Sequence, residues 1–167
     1  MKIFIYILIL AGIIGLGAWS ALVAYNQEHQ PVENGKDVAD GVPRELLNTY
    51  ATSARDKKDL ILVTNPVAGA TIHSPLTVSG EARGTWFFEA SFPLILTDWD
   101  GRILAQGYAS AEGDWMTEEF VSFTGTLEFT ALGNDIYSHR GTLIFKKDNP
   151  SGLPEHDDAL EMPVMIE

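Results

Sequence analysis

The sequence predicts an all-β domain, an antiparallel sandwich of about seven strands, preceded by one N-terminal transmembrane helix. Two observations predict the sandwich and one the helix. From residue 60 onward the chain breaks into short apolar or alternating runs separated by Gly, Pro, Asn and Asp. No helical periodicity of useful length interrupts them, a pattern that suits two packed sheets. Before them, Ile3 to Val23 is apolar and carries no charge.

That first run, as a helix, spans about 31 Å, close to the hydrocarbon thickness of a bilayer. Trp19 and Tyr25 sit near its outer end, where amphipathic rings favour the interface. Lys2 and the amino terminus precede it, and no Lys or Arg follows until Lys36. The positive-inside rule then places the N-terminus in the cytoplasm and the rest outside, as a single-pass protein of the cell membrane. Residues 1–25 read as an anchor or uncleaved signal. A cleaved signal peptide is the competing reading, with Ala18-Trp19-Ser20 before the cut. Ala11, Gly15, Gly17 and Ala21 offer small residues at a spacing that lets two such helices pack.

Residues 26–59 read as a polar linker, punctuated by Pro31, Gly35, Gly41 and Pro43. Within it, Pro43 to Tyr50 predicts a short helix with Pro at its first position. Residues 60–167 read as the folded domain. Its expected strands are Leu60–Thr64, Leu76–Gly80, Leu94–Trp99, Arg102–Ala105, Phe120–Thr130, Gly141–Lys147 and Leu160–Ile166. Asp100-Gly101 predicts a hairpin turn with φ > 0 at both positions. Pro93 and Pro163 lack a ladder donor and belong at a strand start, an edge or a bulge.

The 167-residue chain contains no Cys, so disulfides, Cys zinc sites and a thiol nucleophile are excluded. Its net charge of −12 is carried by the domain, where residues 60–167 hold five Lys/Arg against sixteen Asp/Glu. Such a surface repels nucleic acid, and no nucleic-acid partner is expected.

Four stretches carry a family likeness. They are Ser74 to Gly84 (SPLTVSGEARG), Thr85 to Pro93 (TWFFEASFP), Gly113 to Thr117 (GDWMT) and Lys147 to Gly152 (KDNPSG). Together they resemble the immunoglobulin-like domain of bacterial spore germination proteins over residues about 60–166. The resemblance implies a bacterial, envelope-facing, immunoglobulin-like sandwich without known catalytic residues.

The most concentrated feature is Thr85 to Phe92. Read as a strand, it places Trp86, Phe88, Ala90 and Phe92 on one face and Phe87, Glu89 and Ser91 on the other. The first set is then core with Phe87 over an edge. Alternatively the segment forms an aromatic patch, beside Trp99 or Trp115, that stacks on a glycan or a protein. Arg83 and Glu89 flank it, with Lys146 and Lys147 as charged neighbours from another strand, and the bland reading is a structural ion pair. Asp148, Asn149, Glu155, His156, Asp157 and Asp158 form a second concentration, bent by Pro150, Gly152 and Pro154. This reads as a solvated loop or a partner contact. No cofactor is expected, and calcium at Asp148, Asp157 and Asp158 is the alternative that hard oxygen ligands allow. Contact residues are therefore Arg83, Trp86, Phe87, Glu89, Trp115, Lys147, Asp148 and Asn149.

His29, His73, His139 and His156 lie beside no nucleophile motif, and the chain has no phosphate loop or metalloprotease helix. Glu118-Glu119 and Asp157-Asp158 are adjacent residues, which on a strand point to opposite faces. The sequence thus predicts a non-catalytic, anchored module contacting an envelope protein or wall polymer. A structural spacer that pairs with its own copies is the second reading, and a glycan-acting enzyme a distant third.

Overall fold

The computed structural model describes residues 38, 39, 41–133 and 137–167. The expected membrane helix and its small-residue face lie outside them. Among the described residues no helix is long and apolar enough to cross a membrane.

Residues 38–167 form one compact unit. It opens with a two-stranded ladder, β1 (Val38–Ala39) and β2 (Val42–Pro43). Helix α1 (Arg44–Asp56) follows, inside the stretch read as a linker, and it ends six residues beyond Tyr50, where the expected helix stopped. Pro43 immediately precedes α1, with an extended backbone that cannot continue the helix backwards. The helix runs past Tyr50 because Ala51, Ala54 and Arg55 favour it and because it gains tertiary contacts. Tyr50 and Ala54 pack against the core, and the Tyr50 hydroxyl is pushed to a higher pKa by that burial.

The remaining strands are β3 (Ile61–Asn65), β4 (Thr71–Ile72), β5 (Leu76–Arg83), β6 (Ser91–Asp98), β7 (Ile103–Ala111), β8 (Phe120–Leu127), β9 (Arg140–Lys146) and β10 (Ala159–Ile166). They form one continuous curled sheet, ordered β3-β5-β8-β7-β6-β9-β10-β4. Every pairing is antiparallel except that of β4 with β10. The seven expected strands are all present, with the short β4 added at one edge. A two-sheet sandwich becomes a single sheet because β7 belongs to both halves. Residues from Ser91 to Thr97 on β6 pair with it along most of its length, and Ala109 to Ala111 also pair with β8.

The curl is visible in the core. Phe92 on β6 and Phe123 on β8 are not ladder neighbours, yet their rings meet edge to face at 5.0 Å. Phe123 also meets Phe145 on β9 at 6.2 Å. Strict alternation supplies this interior: on β5, Leu76, Val78 and Ala82 are buried, whereas Thr77 and Glu81 are exposed. On its outer side Pro163 needs no amide: its carbonyl accepts the Gly69 amide at 2.8 Å, and the register with β4 begins only at Met165. Pro93 precedes the point, Leu94, at which β9 joins β6.

The β6–β7 turn differs from the expected two-residue type. Its loop is Trp99-Asp100-Gly101, and only Gly101 has a positive φ, at +82°. The amide of Gly101 donates to the Asp98 carbonyl at 3.1 Å, and that of Asp98 to the Arg102 carbonyl at 2.9 Å. A register shift after Leu96 absorbs the extra residue.

Candidate interaction end

β5, β7 and β9 end, and β6, β8 and β10 begin, at the same end of the sheet. The three loops there are residues 84–90, 112–119 and 147–158. All four stretches that carry the family likeness therefore reach one end of the fold. The chain enters at the opposite end, where Gly41 abuts Met165 near the close of β10.

Loop 84–90 is not a strand, which corrects the alternating reading. It begins with a 3-10 turn over Gly84–Trp86. A Cβ on Gly84 would lie 2.0 Å from the Thr117 carbonyl oxygen and 2.3 Å from that of Trp115. Only glycine lets the two loops approach so closely. The turn sends Trp86 and the next residue, Phe87, into the core together, at 1% and 4% exposure. Trp86 is thus core, as one reading of the sequence had it, and Phe87 keeps only an edge on the groove beside Trp115. Phe87 meets Phe92 at 5.3 Å. Trp86 carries an indole N–H with no acceptor among the described residues, and its carbonyl accepts the Asp148 amide at 3.1 Å. Phe88, expected inside, is 39% exposed.

The chain then reverses in a two-residue turn. The amide of Phe88 donates to the Ser91 carbonyl at 2.9 Å, and that of Ser91 to the Phe88 carbonyl at 3.1 Å. Glu89 and Ala90 hold φ of 50° and 62°. Glu89 has no ion pair among the described residues, which corrects its expected role in a structural pair. Arg83 turns elsewhere. It donates from Nε to the Asp59 carbonyl at 3.0 Å and from Nη1 to the Glu118 carbonyl at 3.1 Å. Its guanidinium lies 3.7 Å from the Glu119 carboxylate and 4.3 Å from the Phe120 ring centre. Arg83 is therefore a clamp that ties β3's entry and loop 112–119 to β5. Strand periodicity could not reveal it, because the partners are loop carbonyls.

Trp115 is half-buried, and beside it Met116 is 77% exposed. With Gly84, Thr85, Phe87 and Thr117 they line an open groove of about 450 Å³. Met116, Leu153 and Phe88 are among the apolar groups this end presents to solvent, and none of the three was among the expected contact residues.

In the third loop, Lys147, Asp148 and Asn149 are half-buried. The Lys147 amide donates to the Asp158 carbonyl at 2.9 Å. Asn149 Nδ2 donates to the Leu153 carbonyl at 2.8 Å and to Asp157 Oδ1 at 2.9 Å. Asp158 Oδ1 accepts both the Ala159 amide and Lys57 Nζ. Of the three Asp side chains proposed for calcium, Asp157 and Asp158 thus bond separate partners, and no group of three acidic or His ligands comes together among the described residues. Ser151 Oγ lies 3.0 Å from His156 Nδ1 and donates to Asn149 Oδ1, while the Leu153 amide donates to Ser151 Oγ at 3.3 Å. These bonds fold the loop upon itself. The residue pattern alone gave its turns but not its cross-bridges, since Lys57 lies far away in the sequence.

No curated protein and no solved structure gives a match to the chain. One family profile does, described as the immunoglobulin-like domain of bacterial spore germination, over residues 60–152. That span is more than half of the 167 residues and includes Arg83, loop 84–90, loop 112–119 and the Lys147–Gly152 stretch packed together at one end. The chain belongs to the family of immunoglobulin-like domains of bacterial spore germination.

Proposed function

We propose that the chain is a non-catalytic interaction module, held at the cell membrane by a single-pass helix in residues 1–25 with its domain outside the cytoplasm. It contacts an envelope protein or wall polymer through loops 84–90, 112–119 and 147–158. The observation that carries this reading is the convergence of all four family stretches on the end facing away from the chain's entry, where Phe88 and Met116 are exposed. A tethered domain meets a distant surface with that end first. Exposed Met and aromatic side chains are common contact groups, and the family's description connects the reading to spore germination.

The test is photo-cross-linking in intact cells with a photoreactive residue at position 116 or, as a control on β7, at position 106. Adducts confined to position 116 support the reading, and equal labelling at both positions overturns it. External protease on wall-stripped cells checks the orientation, because an extracytoplasmic domain is digested there. A second reading, self-assembly, draws on β3, whose outer edge pairs with no strand among the described residues and whose Leu62 is 44% exposed. Adducts of twice the chain mass, formed from positions on β3, would select it.

A further inference from the structure

At the other end of the fold two aromatic rings face solvent side by side. Trp99 is the first residue of the β6–β7 turn, and Tyr137 lies three residues before β9. Their ring centres are 5.0 Å apart at an interplanar angle of 49°. Trp99 is 46% exposed and Tyr137 83%. Together they make one continuous apolar surface that the core does not use.

The platform is displayed on a fixed turn. Asp98 is buried, and its Oδ1 accepts the amides of Asp100 at 3.0 Å and Arg102 at 2.9 Å, while Oδ2 accepts Arg102 Nε at 3.1 Å. These bonds, with Gly101 in the left-handed region, hold the backbone that carries Trp99. A ring presented this way loses little freedom on binding, which favours even a weak ligand.

We propose that Trp99 and Tyr137 form a saccharide-stacking site for a neutral chain of equatorially linked pyranose rings. Such a sugar has an apolar face of C–H groups that lies flat on an aromatic ring, and a rim of hydroxyls that seeks donors and acceptors. The structure supplies both. The rings are the platform, and Asp100 and Arg102, exposed on either side of Gly101, are charged hydrogen-bonding groups at its margin. The same two charges make insertion into a lipid surface costly, because the turn would carry them towards the acyl chains. The net charge of −12 disfavours nucleic acid and anionic polysaccharides. The site stands at the opposite end from the family loops, and its test is independent of what those loops contact.

The probe is the β-1,4-linked tetramer of N-acetylglucosamine, titrated into the full chain in detergent micelles and followed by saturation-transfer NMR. The expected result is weak binding that falls at least about tenfold in Trp99→Ala and in Tyr137→Ala. Trp99→Phe keeps most of it, and Tyr108→Ala, an exposed ring on β7 away from the turn, leaves it unchanged. Because Tyr137 is largely exposed and Trp99 lies outside the core cluster, the two Ala variants melt close to the native chain. The proposal is overturned if the native chain does not bind the tetramer, or if binding survives in both Ala variants. It is also overturned, in favour of a lipid contact, if brominated phosphatidylcholine quenches Trp99 in reconstituted vesicles while the tetramer fails to bind.

Discussion

Lys57, which caps the C-terminal end of α1, forms an ion pair with Asp158 in the β9–β10 loop, 101 residues further along the chain. The two side chains keep only 23% and 29% of their exposure. Asp158 also bonds the Ala159 amide through the same oxygen. One carboxylate thus fixes the end of α1, the start of β10 and the loop between β9 and β10. A double-mutant cycle of Lys57→Met and Asp158→Asn in residues 38–167 should return a coupling of about 0.5–1 kcal/mol, at the upper end for a partly exposed pair. Urea unfolding is the measurement, and additive effects of the two changes would deny the connection.

α1 also bears on where the folded unit begins. Tyr50 and Ala54 pack on the core, and Leu46 and Tyr50 line a groove of about 330 Å³ with Thr142, Ala159 and Pro163 of β9 and β10. Removing the helix returns this face to water. Residues 60–167 should therefore unfold at lower urea than residues 38–167, with a loss of about 2–3 kcal/mol, the scale of burying one large side chain. Equal midpoints for the two fragments would reduce α1 to a passive connection.

Asp98 gives a pH-dependent outcome. Burial raises its carboxyl pKa, but the amides of Arg102 and Asp100 and the Arg102 guanidinium outweigh that effect and hold it below the usual value of 3.8. A depressed carboxyl contributes stability above its unfolded pKa and loses it as pH falls through the folded one. Asp98→Asn keeps an oxygen for the two amides and loses the ion pair with Arg102. It should cost about 1 kcal/mol at neutral pH. Unfolding measured along a pH series should show this gap begin to narrow near the unfolded carboxyl pKa, about 3.9, and close as pH falls through the lower native one. A gap that does not narrow at all on acidification would exclude the charge as its source.

These elements differ in how far the sequence shows them, for local reasons. β5 is legible because Leu76 to Ala82 alternates over a single buried face. The apolar stripe of α1, with Leu46, Leu47, Tyr50 and Ala54, is also present in the sequence, but short polar helices take their stability from what they pack on. Loop 84–90 is misread because its residues mimic alternation. Gly84 is the one visible sign of a close approach, and neither Glu89 nor Ala90 advertises a positive φ. The acidic loop shows its turns through Pro150, Gly152 and Pro154. Its fixed shape depends on Lys57 and on the Trp86 carbonyl, which only the folded chain brings near.

The turn at Glu89 and Ala90 makes the last prediction. Two-residue hairpins with both central residues at positive φ favour Asn-Gly or Asp-Gly, because a Cβ crowds the backbone in that region. Here both residues carry a Cβ, at φ of 50° and 62°. The surroundings hold them there. The reciprocal Phe88–Ser91 bonds close the turn, and the Ala111 amide donates to the Ala90 carbonyl at 2.8 Å. Ala90→Gly keeps all of these backbone bonds and removes the crowding, though it adds freedom to the unfolded chain. The two effects oppose each other, and relief of a left-handed Ala, about 1–2 kcal/mol, exceeds the entropic cost of Gly, about 0.5–1 kcal/mol. Ala90→Gly should therefore stabilise residues 38–167 by about 0.5–1 kcal/mol, and Glu89→Asn should add to it. Most glycine substitutions destabilise, so the sign alone is diagnostic in a urea titration. A lower midpoint for Ala90→Gly would mean that the turn is not strained by its side chains.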